Sequence, residues 1–227
     1  GSGYGSECKI GGVEIFEIKN TKRIGHLENQ LMLGGDIAVH EPARMLISIL
    51  NKFLDKEEVY AHVKKHYSKN QFELLWNQLQ QNFNCVETSS AGRIFDAASV
   101  LLGFAKNERK SKHEAAYLLE KNSTKPYSDL RPKIKDGVLL TTPLFEYLLR
   151  NIKKDRKRLA ATAQLYIAEG LHEIIKKNNP KIILSGGIGN NKIISKYFES
   201  KNLLQNKKFT PLRVNLMGPC IARGDAG

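Results

Sequence analysis

The spacing of apolar residues changes period several times along the chain, and each change marks an element. After a Gly-rich opening and Gly11-Gly12, the run Val13-Glu14-Ile15-Phe16-Glu17-Ile18 alternates with the two-residue period of a strand, so residues 1–18 read as a hairpin. A loop through Leu33-Gly34-Gly35-Asp36 follows. From Glu41 the period turns helical: Met45, Leu46, Ile49, Leu50, Phe53 and Leu54 share one face, and Pro42 stands where a first-turn proline is tolerated. The same spacing predicts helices at roughly 56–67 and 70–83, the second carrying Phe72, Leu75, Trp76 and Leu79. Thr88-Ser89-Ser90 reads as the cap of a helix that buries Ile94, Phe95, Ala98, Leu101 and Leu102 and stops at Gly103. A shorter helix is predicted near about 112–121, then two short strands around the Asp136-Gly137 turn. Thr141-Thr142-Pro143 reopens helix, which continues after a basic break from Asp155 to Lys177. Lys181-Ile182-Ile183-Leu184 reads as a short buried strand ended by Ser185-Gly186-Gly187, with a helix from Asn190 and a last strand at Pro211–Leu216.

This order predicts one α/β lobe over residues 1–227, with 41–83 as a helical insertion and no internal boundary. Composition narrows the classes. The chain is 41% apolar, evenly spread, which is enough for a core. No apolar run approaches the ~18 residues of a membrane span. Cys8, Cys85 and Cys220 are far apart and odd in number, which excludes a CxxC zinc site and fits a reducing cytoplasm. The net charge of +13 is dispersed except at Lys153-Lys154-Asp155-Arg156-Lys157-Arg158. Dispersed charge describes a solvated surface, so nucleic acid is not the expected partner, whereas an anionic nucleotide or acidic protein would be drawn to this field.

Three stretches carry chemistry. Glycines in Ser185-Gly186-Gly187-Ile188-Gly189-Asn190-Asn191 would let backbone approach a ligand closely, and a helix start favours anionic groups; the same residues also suit an ordinary strand-to-helix turn. Asp96 falls beside the apolar stripe of its helix and needs a partner: a ligand hydroxyl, or Arg93 one turn away. Asp225, between Gly224 and Ala226, is uncrowded enough for a hard-metal ligand, and Gly-Asp is also common turn chemistry. His62 and His66 share a helical face at i,i+4, but no carboxylate nearby orients their rings. No nucleophile can be singled out, and the catalytic residue stays unassigned.

Taken together, these stretches resemble a family. Leu31-Met32-Leu33-Gly34-Gly35-Asp36-Ile37-Ala38-Val39-His40-Glu41-Pro42-Ala43-Arg44-Met45 is similar to the PGGDxAxxEPxRMA signature of HypF, the carbamoyltransferase of NiFe-hydrogenase maturation. Thr88–Asp96 resembles its TSSxGRLFDA, Ser185–Asn191 its SGGVFQN, and Gly1–Glu14 its DGxGYGxDGxxWGGE, with the leading aspartate missing or lying just before the first residue. Order and spacing agree over nearly the whole chain.

The resemblance implies the second, RNase H-like lobe of a two-lobed actin/sugar-kinase (ASKHA) fold, related to the tRNA threonylcarbamoyl-adenosine synthase. It implies carbamoyl transfer from ATP-derived carbamoyl-adenylate to the C-terminal cysteine of a HypE-like partner, on the way to cyanide-ligand synthesis. ATP, ADP or AMP would lie in a cleft with a divalent metal, iron or zinc, at its floor. Carried across by position, Asp96, Gly186, Gly187 and Asn191 match nucleotide-binding residues, and Asp225 matches a metal-binding aspartate. Both ends of the chain read as candidate active-site loops, so the expectation is an enzyme lobe that acts with a first, histidine-bearing lobe. Two departures stand out. Lys112-His113-Glu114-Ala115-Ala116 replaces the family's Glu-Gly-Gln-Ala-Ala, and Tyr166 stands where a histidine is usual. Two alternatives remain open: a non-catalytic nucleotide- or partner-binding remnant, and a tRNA-modification relative.

Overall fold

The computed structural model describes residues 12–17, 22–111, 113–176, 182–184 and 186–204. Its centre is the long helix α8 (Arg156–Ile175), which packs on two strands and on four other helices. The strands belong to a four-stranded sheet ordered β1 (Glu14–Glu17), β2 (Lys22–Leu27), β6 (Val138–Leu139), β5 (Ile134–Lys135). β1 and β2 are antiparallel, with a register irregularity between Ile15 and Phe16. β2 and β6 run parallel, and β5 returns antiparallel through the Asp136-Gly137 turn.

The first arm of the hairpin expected within residues 1–18 falls on residues 1–11, outside the described residues; among the described residues β1 pairs with β2, a strand that was not expected. A second ribbon pairs β3 (Gln30–Leu33) with β4 (Cys85–Thr88). Neither was expected as a strand: β3 runs into the predicted Leu33–Asp36 loop, and β4 ends on Thr88, expected as part of a helix cap. Between them the chain forms α1 (Ile37–His40), α2 (Ala43–Leu50), α3 (Lys56–Val63) and α4 (Lys69–Gln80). Reciprocal capping boxes start α3 (Asp55 with Glu58) and α4 (Ser68 with Gln71), satisfying backbone donors that the first turn leaves open. Pro42 occupies the N-cap of α2 rather than its first turn.

The remaining helices are α5 (Ala91–Leu101), α6 (Glu114–Lys121), α7 (Thr142–Arg150) and α9 (Lys192–Ser200). α5 is buried on nearly every face, between α2, α6 and α8. Burial of Leu159, Ala160, Ala163, Ile167, Ala168 and Leu171 seats α8 on a core shared with Leu27, Leu46, Ile49, Phe95, Leu139 and Phe145. Hydrophobic transfer at about 25 cal/mol per Å² makes this shared burial the main favourable term of the fold. Gly170 permits a close approach of α8 to β6: a Cβ there would lie 2.3 Å from a Leu139 methyl. The predicted strand at 181–184 reduces, among the described residues, to a parallel bridge between Ile182 and Leu204. Pro211–Leu216 lies outside the described residues.

Candidate functional site: a glycine turn between two buried helices

Asn191 is 7% exposed and has two duties. Its Oδ1 accepts from the backbone N–H groups of Ile193 and Ile194 (3.1 and 3.0 Å), which caps α9. Its Nδ2 donates to Gln164 Oε1 at 2.6 Å. Gln164 is fully buried on α8 and donates in turn to Ser123 Oγ (2.6 Å) and to the Ala160 carbonyl (3.0 Å). The 3-10 turn Gly187–Asn190 is thus moored to α8 through the side chain that ends it. A second tie runs from Lys192 N–H to Glu120 on α6, at 3.1 Å. Gly186 enters the turn at φ +71°, a left-handed conformation suited to glycine, and among the described residues a Cβ on Gly186 or Gly187 would meet no atom within 4 Å. The backbone of the turn is therefore open to solvent on that side.

The same turn packs against α5, the helix that carries Asp96. Asp96 is 2% exposed, and both of its oxygens are engaged. Oδ2 pairs with Arg93 Nη2 at 2.7 Å, and Oδ1 accepts the Ala116 N–H of α6 at 3.0 Å. Burial pushes the Asp96 carboxyl up from its ordinary value, and the Arg93 guanidinium and the Ala116 N–H pull it part of the way back. The residue thus takes the internal partner that local spacing offered, Arg93. α5 and α6 converge with α8 and the glycine turn, so Asp96, Gly186, Gly187 and Asn191 belong to one cluster of packed elements. Ser90 is the N-cap residue of α5 as expected, but its side chain caps nothing; its N–H donates instead to Thr88 Oγ1 at 3.2 Å.

The Glu41-Pro42-Ala43-Arg44 stretch is a separate structure. Arg44 Nε donates to Glu41 Oε2 at 2.7 Å, and Tyr67 donates to the same oxygen at 3.0 Å. These three, with Gly34, Ile37 and Leu74, line a cavity of about 340 Å³. Gly34 is favoured here by its φ of +84°, a conformation that side chains rarely adopt, and a Cβ would also sit 2.8 Å from Arg44 Nη1.

His113 precedes α6 at φ +63°, a backbone geometry that favours glycine. Tyr166 is buried and donates to the Leu140 carbonyl at 2.6 Å, a role internal to the core. Asp225 lies outside the described residues. Among the described residues no three His, Cys, Asp or Glu side chains gather as a metal centre requires. No helix among them is long and apolar enough to cross a membrane. Sequence reasoning missed Gln164, whose signal was a single amide in the Ala- and Leu-rich face of α8, and named Arg93 only as a partner for Asp96.

Comparison with known proteins places this geometry. The family described as "Carbamoyltransferase, Kae1-like Domain, second subdomain" matches residues 1–225. The probable carbamoyltransferase HypF of Methanocaldococcus jannaschii is 40% identical over 210 residues, which is 86% of this chain and 27% of that protein. The carbamoyltransferase HypF of Rhodobacter capsulatus is 28% identical over 82% of this chain and 25% of its own length. The crystal structure of T. kodakarensis HypF shares the fold with a TM-score of 0.77 at 28% identity, over 88% of this chain and 29% of that one. A full-length HypF solved in its phosphate- and nucleotide-bound form gives a TM-score of 0.75 at 21% identity over 89% of this chain and 34% of its own, a likeness of fold alone. The chain spans about a quarter of the curated HypF proteins of M. jannaschii and R. capsulatus, 27% and 25%. Matched by the second-subdomain family from residue 1 to residue 225, it belongs to the HypF carbamoyltransferase family.

Proposed function

We propose that this chain is the nucleotide-side lobe of a carbamoyltransferase, with the two-lobed ASKHA architecture and residues 41–83 as a helical insertion. In this reading carbamoyl-adenylate lies against the Gly186–Asn191 turn and α5, the helix that carries Arg93 and Asp96. The C-terminal cysteine thiolate of a HypE-like partner attacks the carbamoyl carbon. A C–S bond forms, the C–O bond to the adenylate breaks, and AMP leaves. The thiocarboxamide serves cyanide-ligand synthesis for a NiFe hydrogenase in the cytoplasm.

The observation that supports this reading best is the mooring of the turn. Asn191 spends its side chain on α8 and α9, which fixes the backbone of Gly186 and Gly187 while leaving it uncovered. A fixed, uncovered glycine backbone beside a helix start is the local chemistry that approaches a nucleoside and its phosphates closely. The described residues supply no metal centre, so no step is assigned to a metal. Asp225 is the position of this chain proposed to reach one, together with histidines of a first lobe.

Reconstitution tests the proposal. Labelled carbamoyl should appear on the partner's C-terminal cysteine when this chain, a histidine-bearing first lobe, a source of carbamoyl-adenylate and the HypE-like partner are combined. Absence of label with all four present would refute it. Strongly salt-dependent tRNA binding, lost when Lys153–Arg158 are neutralised, would favour the tRNA-modification relative instead.

A further inference from the structure

We infer that Arg93 grips an anionic phosphate oxygen of the bound nucleotide, and that Asp96 is the positioning residue that holds it there. The inference rests on the nucleotide reading above and names the side chain that does the holding.

Asp96 is poorly placed to meet a ligand itself. It is 2% exposed, with one oxygen on Arg93 and the other on the Ala116 N–H. Arg93 is the reverse case. It is 7% exposed, only Nη2 reaches Asp96, and Nη1 is buried without a hydrogen-bond partner among the described residues. A buried guanidinium N–H left unpaired is rare and costly, so an acceptor belongs at that point.

Charge identifies the acceptor. The Arg109 guanidinium stands near enough to act on both Arg93 and Asp96, and its own N–H groups go to the Ser111 and Val39 carbonyls at 2.6 and 3.4 Å. Two cations therefore face one carboxylate, and the surplus positive charge suits an anion better than a neutral hydroxyl. The surroundings agree. α5 begins without a side-chain cap, and the helix packs on the glycine turn. Arginine's planar fork can serve Asp96 with one arm and a phosphate oxygen with the other, which an ammonium group cannot reproduce.

The test is calorimetric titration of the whole 227-residue chain with ADP, adenosine and inorganic phosphate, repeated on Arg93→Lys. Lysine keeps a cation for Asp96 but holds all its donors on one nitrogen, so the separate Nη1 arm is lost. The expected result is a loss of about tenfold or more in ADP affinity with adenosine binding unchanged and a thermal midpoint near that of the unaltered chain. A second readout needs no variant: ADP and phosphate should move the guanidinium NMR signals of Arg93, and adenosine should not. ADP binding that leaves Arg93 unmoved, or an equal loss for ADP and adenosine in the variant, would overturn this inference alone. Failure of the unaltered chain to bind ADP would overturn the nucleotide reading with it.

Discussion

Asn191 Nδ2 and Gln164 Oε1 lie 2.6 Å apart, joining the residue that ends the glycine turn to the middle of the longest helix. Removing either amide alone takes the partner of one buried polar atom of the other, Gln164 Oε1 or Asn191 Nδ2. Gln164→Leu and Asn191→Ala should each destabilise the chain by about 1–3 kcal/mol, the usual cost of stranding a buried polar group. The double variant should lose less than the sum, and the interaction term from urea denaturation of all four proteins measures the coupling.

Removing the cation from the α5 pair should be more damaging. Arg93→Met leaves the Asp96 carboxylate uncompensated in the interior, at an expected cost of about 3–5 kcal/mol. Exchanging both partners for apolar residues, as in Arg93→Met with Asp96→Leu, should recover much of that loss. A double variant no more stable than Arg93→Met would contradict a pairwise ion bond.

The contact of α8 with β6 makes a steric prediction. Gly170→Ala would drive a methyl against Leu139, whose side chain lies 2.3 Å from the Cβ position. Overpacking of this kind costs about 1–3 kcal/mol, readable as a lower urea midpoint. An unchanged midpoint would mean that α8 can move away from the sheet at little cost.

Glu28 sets an acid-side dependence. Burial raises its carboxyl, but the Lys52 ammonium and the donors of Thr142 outweigh that effect, and its pKa lies below the ordinary value of 4.5. The native state therefore keeps Glu28 ionised after the unfolded chain has begun to take up a proton. Its contribution is present in full above that ordinary value and is lost as pH falls through the native value. Since Glu28 also accepts the Thr141 and Thr142 N–H groups at the start of α7, both at 2.8 Å, Glu28→Gln should flatten the stability profile on the acid side.

Long periodic segments were legible. α2, α4 and α5 follow from apolar spacing, α7 from its Thr141-Thr142-Pro143 start, and Asn191 stands where a helix cap belongs. β2 was not legible, because its buried positions include Gly25, where Gly137 and Ile174 leave no room for a side chain. Without a large apolar residue at that point, strand alternation disappears from the sequence. β4 was hidden by its length of four residues and by the left-handed Asn82 and Asn84 that turn the chain into it. The candidate site was legible by position but not by role. Asp96 could be placed beside an apolar stripe, yet whether it meets Arg93 or a ligand depends on the Ala116 N–H, twenty residues away. Gln164 carried no local signal beyond being polar in an apolar face. Glycine at the His113 position, by contrast, is explained by the +63° φ found there.

That angle yields a prediction of its own. A left-handed non-glycine residue carries about 1–2 kcal/mol of strain. His113→Gly should therefore hold or raise the thermal midpoint. A clear fall would mean that the imidazole's own contacts outweigh the backbone relief.

The claim on which the rest depends is that the moored turn receives the nucleotide. Amide NMR of the whole chain during ADP titration tests it most directly. The account predicts saturable shifts at Gly186, Gly187 and Asn191 and at the start of α5, weakened by Asn191→Ala. Shifts absent from that turn, or gathered instead around Glu41, Arg44 and Tyr67, would contradict it.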